Sequence, residues 1–470
     1  MSLVPVLRFL AFALFAVALA GLGPLLLATG FDEDPAPFAA AVFIATFLGG
    51  CFYALSRTMT LTPPVRSGFR ELILALSIFW LAVPFAACLP FLAQGFSFWS
   101  AWFEAVSAVT TTGAWLSEPA ARVSLSGMLY RASLEWLGGI VSLATAAAVF
   151  VRPEFIGVMP PVPPFARGKR DSYLRAFSSA FNAFLPVYAG VTAMSFAAFL
   201  FTGVPVEDAA ALALSLIASG GFAPTPGGIE AYGTGTVFVA GVTLFVSAVN
   251  FVVIARLALR GGDRLRSGPD PETRALLLLI IPVATLFWFT LEGWAFENYP
   301  AQIFNAISLL STNGALIGEI PQLTPLLVTA VIGGAAVSTA GGIKLLRWLI
   351  TFERLGHELW QLVHPGGVLN TRRPPLFEFG VWIHTIAFTI VLSSLTLTVA
   401  FFGYELELAV GVAVAVVTNA GPLIEAVPGS TTDYIQFAEP LRIVLALGMI
   451  AGRLELILLL LVFDPDFWRA

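Results

Sequence analysis

The sequence predicts an all-α integral membrane protein. It has four repeats, each with a re-entrant half-helix, after an N-terminal two-helix extension. Three observations carry this reading: apolar stretches of membrane-crossing length recur, charge is scarce and lopsided, and one short glycine pattern returns four times. Of the 470 residues, 58% are hydrophobic and 11% are charged. That charge is less than half the roughly 25% of a soluble domain.

The apolar runs include Phe9–Ala28, Ala39–Leu55, Leu72–Leu92, Leu185–Phe201, Val237–Ala255, Ile386–Phe402 and Ile443–Phe463. Each is long enough to cross about 30 Å of hydrocarbon. If the chain starts inside and crosses at each run, 20 of its 24 Lys and Arg residues fall on inner segments. Basic residues are retained on the cytoplasmic side, so both termini are expected there. Arg8, an apolar run and Ala18-Leu19-Ala20 have the order of a cleavable signal. The run continues to Ala28, which is long for that purpose, and a retained helix is expected. Cys51 and Cys88 lie in expected spans and read as small apolar filler rather than a disulfide.

The repeats read Val109-Thr110-Thr111-Thr112-Gly113-Ala114, Ile217-Ala218-Ser219-Gly220-Gly221-Phe222, Leu310-Ser311-Thr312-Asn313-Gly314-Ala315 and Val417-Thr418-Asn419-Ala420-Gly421-Pro422. Taking Gly113, Gly220, Gly314 and Gly421 as equivalent gives spacings of 107, 94 and 107 residues. The apolar stretches before them, Ala101–Val109, Glu207–Ile217, Gln302–Leu310 and Leu406–Val417, make two to three helical turns. A half-membrane helix ending in non-helical backbone is tolerated only where it lines water or is buried in protein. Four of them imply one shared central site. The expected divisions are a helix pair at 1–60 and units at 66–160, 173–262, 272–362 and 375–466, the third with a broken second helix. Linkers rich in Pro, Gly and Arg separate them, and proline stops helices cleanly.

The local sequences now carry a resemblance. Phe103-Glu104-Ala105 leads into the first glycine segment, and Trp136-Leu137-Gly138-Gly139 starts the helix after it. An intramembrane stretch runs from Gly333 to Lys344, and Gly452-Arg453-Leu454-Glu455 lies in the last apolar run. Together these resemble the Trk/Ktr/HKT superfamily of potassium and sodium uptake proteins. The N-terminal helix pair is similar to the bacterial TrkH branch. Val337, Asn313 and Leu423 depart from the family pattern.

The resemblance implies four membrane–pore–membrane repeats around one pore. It implies potassium uptake across the bacterial inner membrane through a gated, channel-like pore. K⁺ would be the transported ion, with nothing bound as a cofactor. The partners implied are the lipid bilayer, a second copy in a homodimer with one pore per chain, and a cytoplasmic nucleotide-binding regulatory ring subunit. That subunit would land on 160–175, 260–274 and 354–373. The ion filter implied is Thr111, Thr112 and Gly113; Ala218, Ser219 and Gly220; Thr312, Asn313 and Gly314; and Asn419, Ala420 and Gly421. In the HKT relatives a serine at the first glycine position goes with Na⁺, so Gly113 favours K⁺.

These residue types suit the chemistry. Rings of backbone carbonyls replace the water shell of K⁺, and glycine permits the conformations this needs. The half-helix C-termini carry the negative dipole end toward the cavity. One such glycine alone would read as helix packing, but four at matching places read as a filter of near-fourfold symmetry.

Seven of the ten residues 333–342 are Gly or Ala, which breaks an apolar span. Ser338, Thr339, Ala340, Gly341, Gly342 and Lys344 are therefore the expected gate, lying beneath the filter. Arg453 is an intramembrane charge expected to reach the pore or the gate. Glu455, two residues on, points elsewhere. Glu104 has no evident partner.

His357, His364 and His384 form no metal motif. No catalytic pair or nucleic-acid signature stands out. The alternative is a K⁺ symporter coupled to H⁺ or Na⁺. It is weakened because no carboxylate array stands out at membrane depth. Acidic residues on the outer loops concentrate cations or are ordinary solvated surface.

Overall fold

Long helices and 12-residue helices alternate along the chain. The computed structural model describes residues 3–59, 69–116, 124–150, 173–225, 227–260, 270–365, 376–430, 433–454 and 461–469, and no strand occurs among them. A first pair is α1 (Leu3–Gly30) and α2 (Ala36–Thr58). Then follow α3 (Phe69–Ala87), α4 (Leu89–Ala93), α5 (Phe98–Val109) and α6 (Leu125–Phe150). Next come α7 (Tyr173–Phe201), α8 (Val206–Ile217), α9 (Thr234–Ala248) and α10 (Phe251–Arg260). The third set is α11 (Pro271–Phe289), α12 (Tyr299–Leu310), α13 (Leu323–Ile332) and α14 (Leu345–Val363). The last is α15 (Leu376–Phe401), α16 (Leu406–Val417), α17 (Glu439–Arg453) and α18 (Pro465–Arg469).

Seven described helices are long and apolar enough to cross a membrane, or eight with the bent pair α9–α10 counted as one span. The protein is a multi-pass membrane protein. Phe12, Phe43, Met194, Leu278 and Leu397 stand exposed on its long helices, as side chains facing lipid do. The helices α5, α8, α12 and α16 have 12 residues each. That is about 18 Å, roughly half the bilayer. Beyond their first turns they are largely buried, so these four half-length helices form the centre.

One expected span is corrected. Val237–Ala255 is not continuous, because α9 and α10 meet at 100°. Val249 turns extended (φ −73°, ψ 156°). Asn250 Oδ1 then accepts from Val252 N at 3.0 Å and starts the new helix, the usual role of Asn at a helix start. The span around 326–350 is broken between Ile332 and Leu345. The four linkers lie largely or wholly outside the described residues, as does Glu455.

Close packing of α1 on α2 depends on small residues. A Cβ at Gly49 would meet Phe15 Cε1 at 2.9 Å and Ala11 O at 3.1 Å, whereas nothing lies within 4 Å at Gly50. Gly49→Val therefore destabilises the protein by about 1–3 kcal/mol through overpacking. Gly50→Val does not. Thermal unfolding of the detergent-solubilised protein measures the difference.

Candidate functional site

The four half-helices end in the same way. Thr110, Ala218, Ser311 and Thr418 cap them with φ between −79° and −84° and ψ near zero. The next residue enters the left-handed region in each case: Thr111 (φ 55°), Ser219 (59°), Thr312 (57°) and Asn419 (58°). The N–H after that reaches back five residues. Thr112 N bonds Ser107 O, Gly220 N bonds Ser215 O, and Asn313 N bonds Ser308 O, each at 2.9 Å, while Ala420 N bonds Ala415 O at 2.8 Å. This is a Schellman closure, where glycine is the usual left-handed residue.

The closure sets a register that corrects the expected alignment of the second glycine segment. Gly221, not Gly220, is equivalent to Gly113, Gly314 and Gly421, with spacings of 108, 93 and 107 residues. Ala218 is a helix cap, in the place that Thr110, Ser311 and Thr418 hold on the other half-helices. The Gly220-Gly221 doublet hid this, because either glycine fits a one-dimensional pattern. Gly220 answers a different need: a Cβ there would meet the Glu135 carboxylate and Ser215 Oγ.

The loops converge in cyclic order. A Cβ on Gly113 would lie 2.6 Å from Gly221 Cα. One on Gly221 would meet Pro422 and Asn313 O, one on Gly314 would meet Ala420 O, and one on Gly421 would meet Thr112 O. Asn313 Nδ2 donates to Gly220 O, and Gly421 N donates to Thr112 O at 2.7 Å. Asn313, a departure from the family pattern, thus spends its amide tying the third loop to the second.

Three of the four left-handed residues use their side chains, whereas Thr111 Oγ1 is buried without a hydrogen-bond partner among the described residues. Thr312 Oγ1 accepts from Gly341 N at 2.5 Å. Ser219 Oγ lies 3.0 Å from both Ser247 Oγ and Thr339 Oγ1. Asn419 Nδ2 donates to Thr112 Oγ1 and Met449 O at 2.9 and 3.0 Å. Two of these five ties go to the stretch 333–344, which lies directly beneath the glycine loops.

That stretch is held by a second break. Ala335 N bonds Ala248 O at 2.9 Å, Phe251 N bonds Val337 O at 2.8 Å and Thr339 N bonds Ser247 O at 3.2 Å, all at the α9–α10 bend. Glu272 on α11 accepts from both Ala336 N and Asn250 Nδ2 at 3.1 Å. Arg453 Nη1 donates to Thr339 O and its Nε to Ser142 Oγ, each at 2.7 Å. Lys344 Nζ donates to Ala340 O. Beside this stretch lies a small pocket lined by Ser142, Ser338, Gly341, Lys344, His384 and Arg453 among others. The sequence-predicted gate residues, Ser338 to Gly342 with Lys344 and Arg453, are therefore brought together beside the glycine loops.

Besides Glu71 on α3, three buried carboxylates were missed or left unexplained by sequence reasoning. Glu104 pairs with Arg131 on α6, both buried, and accepts from Leu116 N at 2.6 Å. Glu135, fully buried, lies four residues further along α6. Glu272 is the third. Arg131 and Glu135 at i and i+4 on an otherwise apolar helix were the available signal.

Comparison with known proteins bears on this arrangement. The TrkH family, described as a cation transport protein, matches residues 38–468. The Trk system potassium uptake protein TrkI of Halomonas elongata is 27% identical over 482 residues, covering 99% of this chain and 97% of the relative. TrkH of Escherichia coli is 27% identical over 453 residues, 92% of each chain. The crystal structure of the potassium transporter TrkH from Vibrio parahaemolyticus superposes with a TM-score of 0.85 at 24% identity, over all of both chains. It shares the fold.

The Glu104–Arg131 pair makes a stability prediction. Arg131→Met leaves a carboxylate buried without its cation and costs about 3–5 kcal/mol. Adding Glu104→Gln to that variant recovers part of the loss. Thermal unfolding in detergent compares the single and double variants.

Proposed function

The chain belongs to the TrkH family of cation transport proteins, and on that footing we propose that it carries out potassium uptake through a gated, channel-like pore. One observation carries the reading. Four 12-residue helices end in the same closure and bring four glycines together on one axis. Their C-terminal dipole ends favour a cation there. Backbone oxygens of Thr111, Thr112 and Gly113; Ser219, Gly220 and Gly221; Thr312, Asn313 and Gly314; and Asn419, Ala420 and Gly421 are the proposed ion ligands.

In this reading 333–344 is the gate. It lies against the underside of the glycine loops and hydrogen-bonds to them through Thr339 and Gly341. An ion leaving the loops meets this stretch, so transport requires that it move. Arg453 pins it at Thr339 O, and its positive charge lowers cation occupancy just below. The inner-face linkers serve as the docking surface for a cytoplasmic nucleotide-binding ring subunit. The protein resides in the bacterial inner membrane with both termini cytoplasmic, as a homodimer with one pore per chain.

A coupled carrier is the second reading. Glu104, Glu135 and Glu272 are fully or almost fully buried, which supplies carboxylates at membrane depth that the sequence had not brought forward. Reversal potentials in planar bilayers separate the two. A K⁺ channel reverses where the K⁺ gradient alone dictates, and a shift with the H⁺ or Na⁺ gradient would establish coupling instead. Deleting Ser338–Gly342 raises flux by removing the obstruction. Arg453→Gln raises it less, since Arg453 makes one bond to the stretch. ⁸⁶Rb⁺ uptake into proteoliposomes measures both, and unchanged uptake in either folded variant would remove the gate assignment.

A further inference from the structure

The glycine loops are supported in two ways that alternate around the axis. In the first loop Glu104, five residues before the last residue of α5, accepts from Leu116 N at 2.6 Å, three residues after Gly113. In the third loop Asn305 holds the same place on α12. It accepts from Ile317 N at 2.9 Å and donates to Ile317 O at 3.1 Å, three residues after Gly314. The same place is Leu212 in the second repeat and Val412 in the fourth, neither with an acceptor.

The donors vary with the acceptors. Three residues after Gly221 stands Pro224, which has no N–H to give. Three residues after Gly421 stands Ile424, inside the 3₁₀ turn Gly421–Ala426. Backbone shape follows the same division. Gly113 (φ 70°) and Gly314 (φ 88°) are left-handed, and Gly221 and Gly421 are not. At this outer position two opposite loops are thus tied to their own half-helices by a side chain and the two between them are not; those are held closer to the axis, where Ser215 Oγ donates to Gly220 O at 3.1 Å and the Tyr434 hydroxyl to Gly421 O at 3.0 Å. The expected near-fourfold symmetry is a twofold one at this level.

We propose that Glu104 and Asn305 are positioning residues for ion selectivity. They fix the outer strand of loops one and three, and so the spacing of the carbonyls that precede it. Arg131 completes the first brace by holding the Glu104 carboxylate, with its guanidinium over the Phe91 and Phe222 rings at 5.5 and 5.4 Å. Phe222 follows Gly221, so the first brace also touches the second loop. This inference rests on the transport reading above, because selectivity has meaning only for a conducting protein.

The test is the ratio of K⁺ to Na⁺ flux in proteoliposomes, with size-exclusion chromatography to certify folding. Asn305→Leu, which introduces the side chain found at position 212, lowers the ratio by about fivefold, the factor to which one hydrogen bond's net contribution converts. Glu104→Leu does the same. Glu104→Gln, which keeps an acceptor for Leu116 N, retains most of the selectivity. Leu212→Met, a volume-conserving change at the unbraced position, leaves the ratio unaltered. A merely structural role would lower yield and melting temperature without moving the ratio. If Glu104→Leu does not fold, the uncharged Asn305→Leu decides. A selective wild type with an unaltered ratio in folded Asn305→Leu overturns the brace alone. A wild type that passes neither ion overturns the transport reading and the brace with it.

Discussion

Backbone polar groups inside a membrane must be satisfied by the protein, and this constraint organises the whole interior. Lipid offers no hydrogen bonds, so helix breaks at membrane depth survive only where partners exist. Among the described residues, helices break at the centre at the four half-helix ends, at the α9–α10 bend and at 333–344. Each break is another break's partner. Ala248 O, freed at the bend, takes Ala335 N, and Val337 O takes Phe251 N. Gly341 N finds Thr312 Oγ1 at the end of α12. No single repeat could afford this alone, so the centre forms only when all four assemble.

The same constraint explains why left-handed positions carry Thr, Ser and Asn where glycine would cost less. A β-branched residue at positive φ is strained, and strain persists only where surroundings enforce it. Here Ser219 and Thr312 hydrogen-bond to the segment beneath, and Asn419 to Thr112 and Met449. Glycine at Thr312 would relax the backbone and leave Gly341 N without its acceptor. Stability of the closure is thereby exchanged for contact between the glycine loops and the stretch below. In the proposed mechanism, that contact must break when the gate moves.

Buried charge follows a parallel logic. Arg131, Glu135 and Ser142 lie along the α6 face that also carries Gly138 and Gly139, and this face lies against the first two loops. The glycines admit the backbone of Val109 and Ala218, and the polar residues meet Glu104 at one end and Arg453 at the other. A bare charge at this depth would be expensive. Arg131, paired with Glu104, and Ser142, bonded to Arg453, fix one helix face against the loops.

Much of this was legible in the chain. Apolar length and the scarcity of charge determined a helical membrane protein, because hydrocarbon thickness dictates both. The recurrence of Gly after small polar residues located the centre. The run of Gly and Ala at 333–342 located a break, because its backbone cannot stay helical unaided. Three matters waited for the tertiary structure. Gly221 rather than Gly220 belongs to the ring, because register is set by hydrogen bonds that a glycine doublet does not reveal. The α9–α10 bend escaped notice because Asn250 alone marks it locally, while its stability comes from residues some 85 positions onward in the third repeat. Glu104 found Arg131, and Asn305 found Ile317, through side chains meeting across a fold. Sequence determined which segments enter the membrane, since that depends on each segment's own composition. Which broken ends and buried charges satisfy one another depends on three-dimensional neighbours, and only the assembled repeats decided it.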